Sequence, residues 1–136
     1  MLELGDGHYW VNDNMVDINF PLKIIGDENH PSRVVIELNG KIIWKGKGGW
    51  IEGVTIRRPK INVGVVEKRE ICQINSGSRV SMVHCIMDNE GFSGNVLRVH
   101  GHGDCNSINV RGSGESDSGV LIEKEGSLQM TRVSVI

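Results

Sequence analysis

The stretch Gly48-Gly49-Trp50-Ile51-Glu52-Gly53-Val54-Thr55-Ile56 carries a spaced apolar pattern, Ile51..Val54.Ile56, that recurs three more times along the chain. The other copies are Val80..Val83.Cys85, Cys105..Ile108.Val110 and Met130..Val133.Val135, with middle positions separated by 29, 25 and 25 residues. Each copy follows a glycine by three or four residues, at Gly48, Gly77, Gly101 and Gly126. A second column runs between them: Val34-Val35-Ile36-Glu37, Gly64-Val65-Val66-Glu67, Val96-Leu97-Arg98 and Val120-Leu121-Ile122-Glu123. Two columns sharing one period imply a unit of about 25 residues that holds at least two short strands at fixed places, with Gly- and Asn/Ser-rich corners between them.

One such unit cannot be stable alone. Its backbone N–H and C=O groups point up and down the axis, unsatisfied until another coil stacks on it. Equivalent strands of successive coils then pair in parallel, about 4.8 Å apart, with the right-handed crossover that parallel connections adopt. The predicted fold is all-β: a right-handed single-stranded parallel β-helix, a solenoid of about five coils. The twelve apolar positions of the four copies point into its lumen. Less regular segments, Leu2-Glu3-Leu4, Tyr9-Trp10-Val11, Phe20 to Gly26, Val34 to Leu38 and Ile42-Ile43-Trp44, supply the earlier coils, and Pro31 with Asp27-Glu28-Asn29 marks a turn. Residues 1–136 form one domain.

Composition agrees. Val (16) and Ile (15) outnumber Leu (7), and Ala is absent, so the best helix former is replaced by stiff β-branched side chains. With 38% hydrophobic and 24% charged residues the chain is that of a folded protein. A net charge of -2 with dispersed basic residues argues against a nucleic-acid partner. No apolar run approaches the roughly 20 residues of a membrane span, and the start lacks the features of a signal peptide. Cys72, Cys85 and Cys105 are odd in number and lie in strand-like segments, so neither a disulfide framework nor a metal site is expected. The expectation is a soluble, cytoplasmic chain without cofactor.

Gly5-x-Gly7-x-Tyr9, Phe20-Pro21-Leu22-Lys23-Ile24-Ile25-Gly26-Asp27 and Val34-Val35-Ile36 resemble the opening coils of pectate-lyase-like β-helix proteins, and Gly49 to Ile56 resembles a later strand of the same superfamily. The resemblance implies the architecture rather than a chemistry, since the superfamily includes polysaccharide lyases and hydrolases, epimerases, phage tailspikes and the β-helix regions of F-box-only proteins. Its members begin with a capping helix that has no counterpart before Met1, and the chain stops inside a repeat strand. The expectation is a fragment of a longer chain, or one whose open ends associate end to end.

Gly101-His102-Gly103-Asp104 contains the Gly-His-Gly that polygalacturonases carry, but neither Asn-Thr-Asp nor Asp-Asp occurs to supply paired carboxylates. It reads as a glycine-rich corner with a solvated His102. No catalytic residue is assigned. Extending the second column places Glu37, Glu67, Arg98 and Glu123 in one vertical row, and two positions on, Asn39, Arg69, His100 and Glu125 in another. Strand alternation puts both on the outer face. The candidate binding residues are therefore Glu37, Glu67, Arg69, Arg98, His100 and Glu123. Trp10, Trp44 and Trp50 are expected to plug the open end of the lumen; exposed, Trp44 and Trp50 would instead stack on sugar rings. The function expected from this surface is a non-catalytic binding or scaffold module recognising a protein segment or a carbohydrate. The alternative is a fragment of a carbohydrate-active enzyme.

Overall fold

The computed structural model of the protein describes residues 1–12, 15–58, 70–88, 96–106, 109–111, 120–123 and 126–135. Its strands, in chain order, are β1 (Leu2–Glu3), β2 (Gly7–Val11), β3 (Met15–Ile18), β4 (Leu22–Ile25), β5 (Val34–Leu38), β6 (Lys41–Trp44), β7 (Gly48–Glu52), β8 (Thr55–Arg57), β9 (Cys72–Ile74), β10 (Arg79–Val83), β11 (Ile86–Asp88), β12 (Leu97–Val99), β13 (His102–Asn106), β14 (Asn109–Arg111), β15 (Val120–Ile122), β16 (Ser127–Thr131) and β17 (Ser134–Val135). Every third strand returns to the same sheet, giving sheets of six (β1 to β16), six (β2 to β17) and five (β3 to β15) strands. Neighbouring strands pair in parallel, for example β7 with β10, β8 with β11 and β9 with β12. The chain is a parallel β-solenoid, as its repeats require.

Alternation within these short strands sends every second side chain inward. Direct register stacks Ile24, Ile51, Met82 and Cys105 in one lumen column and Ile36, Ile56, Met87 and Val110 in another. All eight are buried, and each such side chain contributes about 1.5–3 kcal/mol. The third sheet adds Trp44, Ile74 and Val99 in register. Trp44 is fully inside, and its indole N–H donates to Cys72 Sγ at 3.2 Å. Gly49 faces it. A Cβ there would lie 2.4 Å from the Trp44 ring, so a glycine makes room for the largest lumen side chain.

The Asp27 turn forms as its residues predict, with Asp27 Oδ1 accepting from the Asn29 and His30 amides at 3.0 and 3.1 Å. It leads into a short 3₁₀ turn, Pro31–Arg33. Arg58 is buried and donates to the carbonyls of Leu38, Asn39, Gly40 and Glu70, which satisfies acceptors at this corner.

Four sequence expectations need correction. The second repeat copy is displaced by two residues: Ile51 pairs with Met82, and the true copy is Met82..Cys85.Met87. Val80 stays inside, since a shift of two preserves strand parity, but Val83 pairs with Glu52 and Asn106 on the outer face. The corner residues Gly53, His84 and Arg132, each following a strand of the first sheet, hold positive φ values of 68°, 50° and 52° and interrupt alternation at that point. Second, Met130 (51% exposed) and Val135 (48%) are uncovered and Val133 is only partly buried, because no described coil stacks on them; Ile108 lies outside the described residues. Third, Glu37 sits in the second sheet, whereas Arg98 is in the third and Glu123 directly follows β15 of that sheet. They do not form one row, because an alternating Val-x-Ile pattern suits any of the three sheets. Fourth, only Trp44 fills the lumen; Trp10 is exposed, and Trp50 stands on the outer face of the first sheet.

The corrected register makes a sharp distinction between adjacent residues. Met82→Asp puts an unpaired charge into a closed column and is expected to cost about 3 kcal/mol or more, abolishing cooperative unfolding in urea followed by circular dichroism. Val83→Asp, on the outer face, is expected to cost about 1 kcal/mol or less.

Candidate functional site

The outer face of the first sheet is built from residues that immediately precede the inward repeat positions. Lys23, Trp50, Ser81, Asp104 and Gln129 are successive register partners on β4, β7, β10, β13 and β16. Each lies about 4.8 Å from the next along the axis. Two residues earlier on the same strands, Arg79, His102 and Ser127 form a second row. The first row lines a cleft of about 270 Å³, in which Trp50, Ser81, Asp104 and Gln129 are joined by Asn106 and Thr131. The second row lines a pocket of about 310 Å³ together with Ser76 and His100.

Trp50 is the platform of this surface. Lys23 Nζ lies 5.1 Å from its ring centroid, a cation–π separation. The indole Nε1 is buried without a hydrogen-bond partner, a debt of about 1–3 kcal/mol. His102 links the two rows: its Nε2 is 3.1 Å from Asp104 Oδ1 and its Nδ1 2.5 Å from Ser127 Oγ. A carboxylate only accepts, so in the neutral ring Nε2 carries the proton and Nδ1 accepts from the Ser127 hydroxyl. The Gly101 to Asp104 segment is thus not a solvated corner. His102 opens β13 and is held by its strand neighbours.

This line of Ser127, His102 and Asp104 has the residue types of a nucleophile, base and orienting acid. The backbone amides of Ser127 and His102 themselves are closed to a developing oxyanion. The Ser127 and His102 amides are spent on the Gly101 and Ser78 carbonyls at 2.9 Å each. The cysteines are no better as nucleophiles. Burial pushes the thiols of Cys72 and Cys105 up to about 12 and that of Cys85 up to about 11, so thiolate is scarce at neutral pH.

The residues expected from the sequence fall in three places. Arg98 and Glu123 do meet across adjacent coils, with Arg98 Nη2 2.9 Å from Glu123 Oε1. Glu70, 3.2 Å from Arg98 and 3.6 Å from Lys41, continues this charge ladder on the third sheet. Glu37 is buried on the second sheet, 2.6 Å from Arg57 and 3.3 Å from His8. His100 alone joins the first-sheet surface, in the pocket with Arg79 and His102. Glu67 and Arg69 lie outside the described residues. The sequence reading assigns no surface role to Arg79, Ser81, Ser127 and Gln129, yet a correct second repeat copy places Trp50, Ser81, Asp104 and Gln129 in one column directly before Ile51, Met82, Cys105 and Met130.

The ion pairs of Glu37 and Arg98 contribute differently to stability. Glu37→Ala removes the partner of Arg57 and His8 and is expected to cost about 2 kcal/mol, whereas Arg98→Ala, in a part-exposed and salt-screened ladder, costs at most about 1 kcal/mol. Urea denaturation at low and high salt checks both, with salt dependence lost in Arg98→Ala. Comparison of the chain with protein-family models, curated proteins and solved structures finds no match.

Proposed function

We propose that the protein is a binding module that takes a carbohydrate along the outer face of the first sheet, without processing it. The observation that carries this reading is the Trp50–Ser81–Asp104–Gln129 row. One aromatic face is followed, at one-coil intervals, by a hydroxyl, a carboxylate and an amide over an open cleft. Sugars offer an apolar ring face and a fringe of hydroxyls, and this sequence of groups answers both. A rigid parallel sheet presents them preorganised, which lowers the ordering cost of binding. The resemblance to pectate-lyase-like proteins supports the scaffold alone: Gly7-x-Tyr9 falls on β2 and Leu22-Lys23-Ile24-Ile25 on β4, in the opening strands of a parallel solenoid.

A carbohydrate-active enzyme is the second reading, favoured by the Ser127–His102–Asp104 line alone. Inverting hydrolysis needs a carboxylate pair about 6.5–9.5 Å apart across the bond, and Asp104 is the one carboxylate lining this cleft among the described residues.

The ends support a proposal about partners. Leu2 and Met130 are the outermost described members of the same lumen column and are 46% and 51% exposed. Stacking the last coil of one copy on the first coil of another would continue that column, so sedimentation should show concentration-dependent association that Met130→Lys abolishes. A monomer at every concentration overturns it.

The carbohydrate reading is tested by titrating a panel of neutral and acidic oligosaccharides against intrinsic tryptophan fluorescence. At least one should bind, and Trp50→Ala should weaken it by about tenfold or more with an unchanged unfolding midpoint. No binding across the panel, or binding indifferent to Trp50→Ala, overturns the reading; release of new reducing ends would favour the enzyme.

A further inference from the structure

We propose that the pocket beside the Trp50 row is a subsite for a tetrahedral oxyanion group, a sulfate or phosphate ester carried by the ligand; the inference rests on the carbohydrate reading of the neighbouring row. Consecutive coils build this pocket. The turn that closes with Ser78 N–H donating to Asn75 O, at 3.0 Å and with Gly77 at φ 84°, presents Ser76 beside the start of β10. Arg79 then opens β10, His102 is its register partner on β13, and Ser127 is the partner of His102 on β16. His100 enters from the end of the third sheet, its amide donating to Ile74 O at 2.8 Å.

The charge balance of the pocket is cationic. Arg79 is exposed, and no carboxylate or carbonyl pairs with its guanidinium among the described residues. Arg57, Arg58 and Arg98 differ: each is held by carboxylates or carbonyls of an adjoining coil. An exposed arginine that no protein carboxylate neutralises is available to an external anion, which its guanidinium fork suits. The nearest acidic group on the same strands, Asp104, is turned to His102 Nε2 and lines the other cleft rather than this one.

Geometry selects the shape of the anion. A planar carboxylate is satisfied by one guanidinium fork. Here the donors come from different elements: the Arg79 guanidinium from β10, the His100 imidazole from the third-sheet end and the Ser76 hydroxyl from its turn, while the Ser127 hydroxyl is given to His102 Nδ1. Oxygens directed to the corners of a tetrahedron use such a set. Arg79 and Ser81, His102 and Asp104, and Ser127 and Gln129 are each two residues apart on one strand, roughly 6.6 Å. A sugar on the Trp50 row can therefore carry its ester group into the pocket.

The test uses inorganic sulfate and inorganic phosphate first, with chloride at matched ionic strength, following the imidazole proton resonances of His100 and His102. Saturable shifts beyond those in chloride are expected, and Arg79→Gln should weaken them by about tenfold or more at an unchanged unfolding midpoint. Trp50→Ala should leave this anion binding intact. One oligosaccharide that binds the Trp50 row, offered unmodified, sulfated and phosphorylated, then separates the sources: the ester that gains most names the group, and the gain should vanish in Arg79→Gln. Shifts no larger than in chloride, or an Arg79→Gln protein that behaves as the parent, overturn the inference while unmodified sugar binding still stands. Anion binding without any sugar binding would instead overturn the carbohydrate reading and leave the oxyanion site.

Discussion

The parallel hydrogen-bond ladder between successive coils is the constraint on which everything else in this molecule depends. Each strand spends its N–H and C=O groups on the coils above and below rather than within its own coil. That ladder sets residue against residue at about 4.8 Å, so side chains form columns, inside and outside alike. The lumen columns are apolar because nothing in them could be solvated, and Gly49 exists in its column because the Trp44 ring occupies the space that a Cβ would need. The outer columns inherit the same spacing and are free to carry chemistry.

Corners decide how the columns are phased. Gly53, His84 and Arg132 hold the left-handed backbone at equivalent points after strands of the first sheet, and a non-glycine residue there gives up about 1–2 kcal/mol. The return is that each sheet restarts with its apolar residues facing inward. Arg58 does a related task at another corner by donating to four carbonyls there. In a solenoid with little helix, buried polar side chains take over the capping that helix ends perform elsewhere.

The three outer faces then diverge. On the third sheet, Lys41, Glu70, Arg98 and Glu123 neutralise one another coil by coil, and on the second, Glu37 is buried against Arg57 and His8. Those charges are committed to the fold. The first sheet leaves a hydroxyl, an amide and the Arg79 guanidinium without such commitments beside the Trp50–Lys23 pair, which is why its surface, rather than the more highly charged ladders, carries the functional proposal.

The sequence by itself determined that this chain is a parallel solenoid: repeated apolar positions at one-coil spacing, β-branched composition and glycine corners have one economical solution, since only stacked coils satisfy the backbone. It also determined the inward identity of Ile51, Val54, Ile56, Cys105 and Val110. Tertiary structure alone decided which sheet each strand joins, that Met82 rather than Val83 is inward, and that Glu37 does not stand above Arg98. The reason is that a period-two strand pattern is identical for all three sheets, and a positive-φ corner such as His84 shifts the phase without leaving a glycine to reveal it. A column error of two residues preserved most of the core but hid the Trp50–Ser81–Asp104–Gln129 row, because an outer surface becomes visible only when every coil is in register.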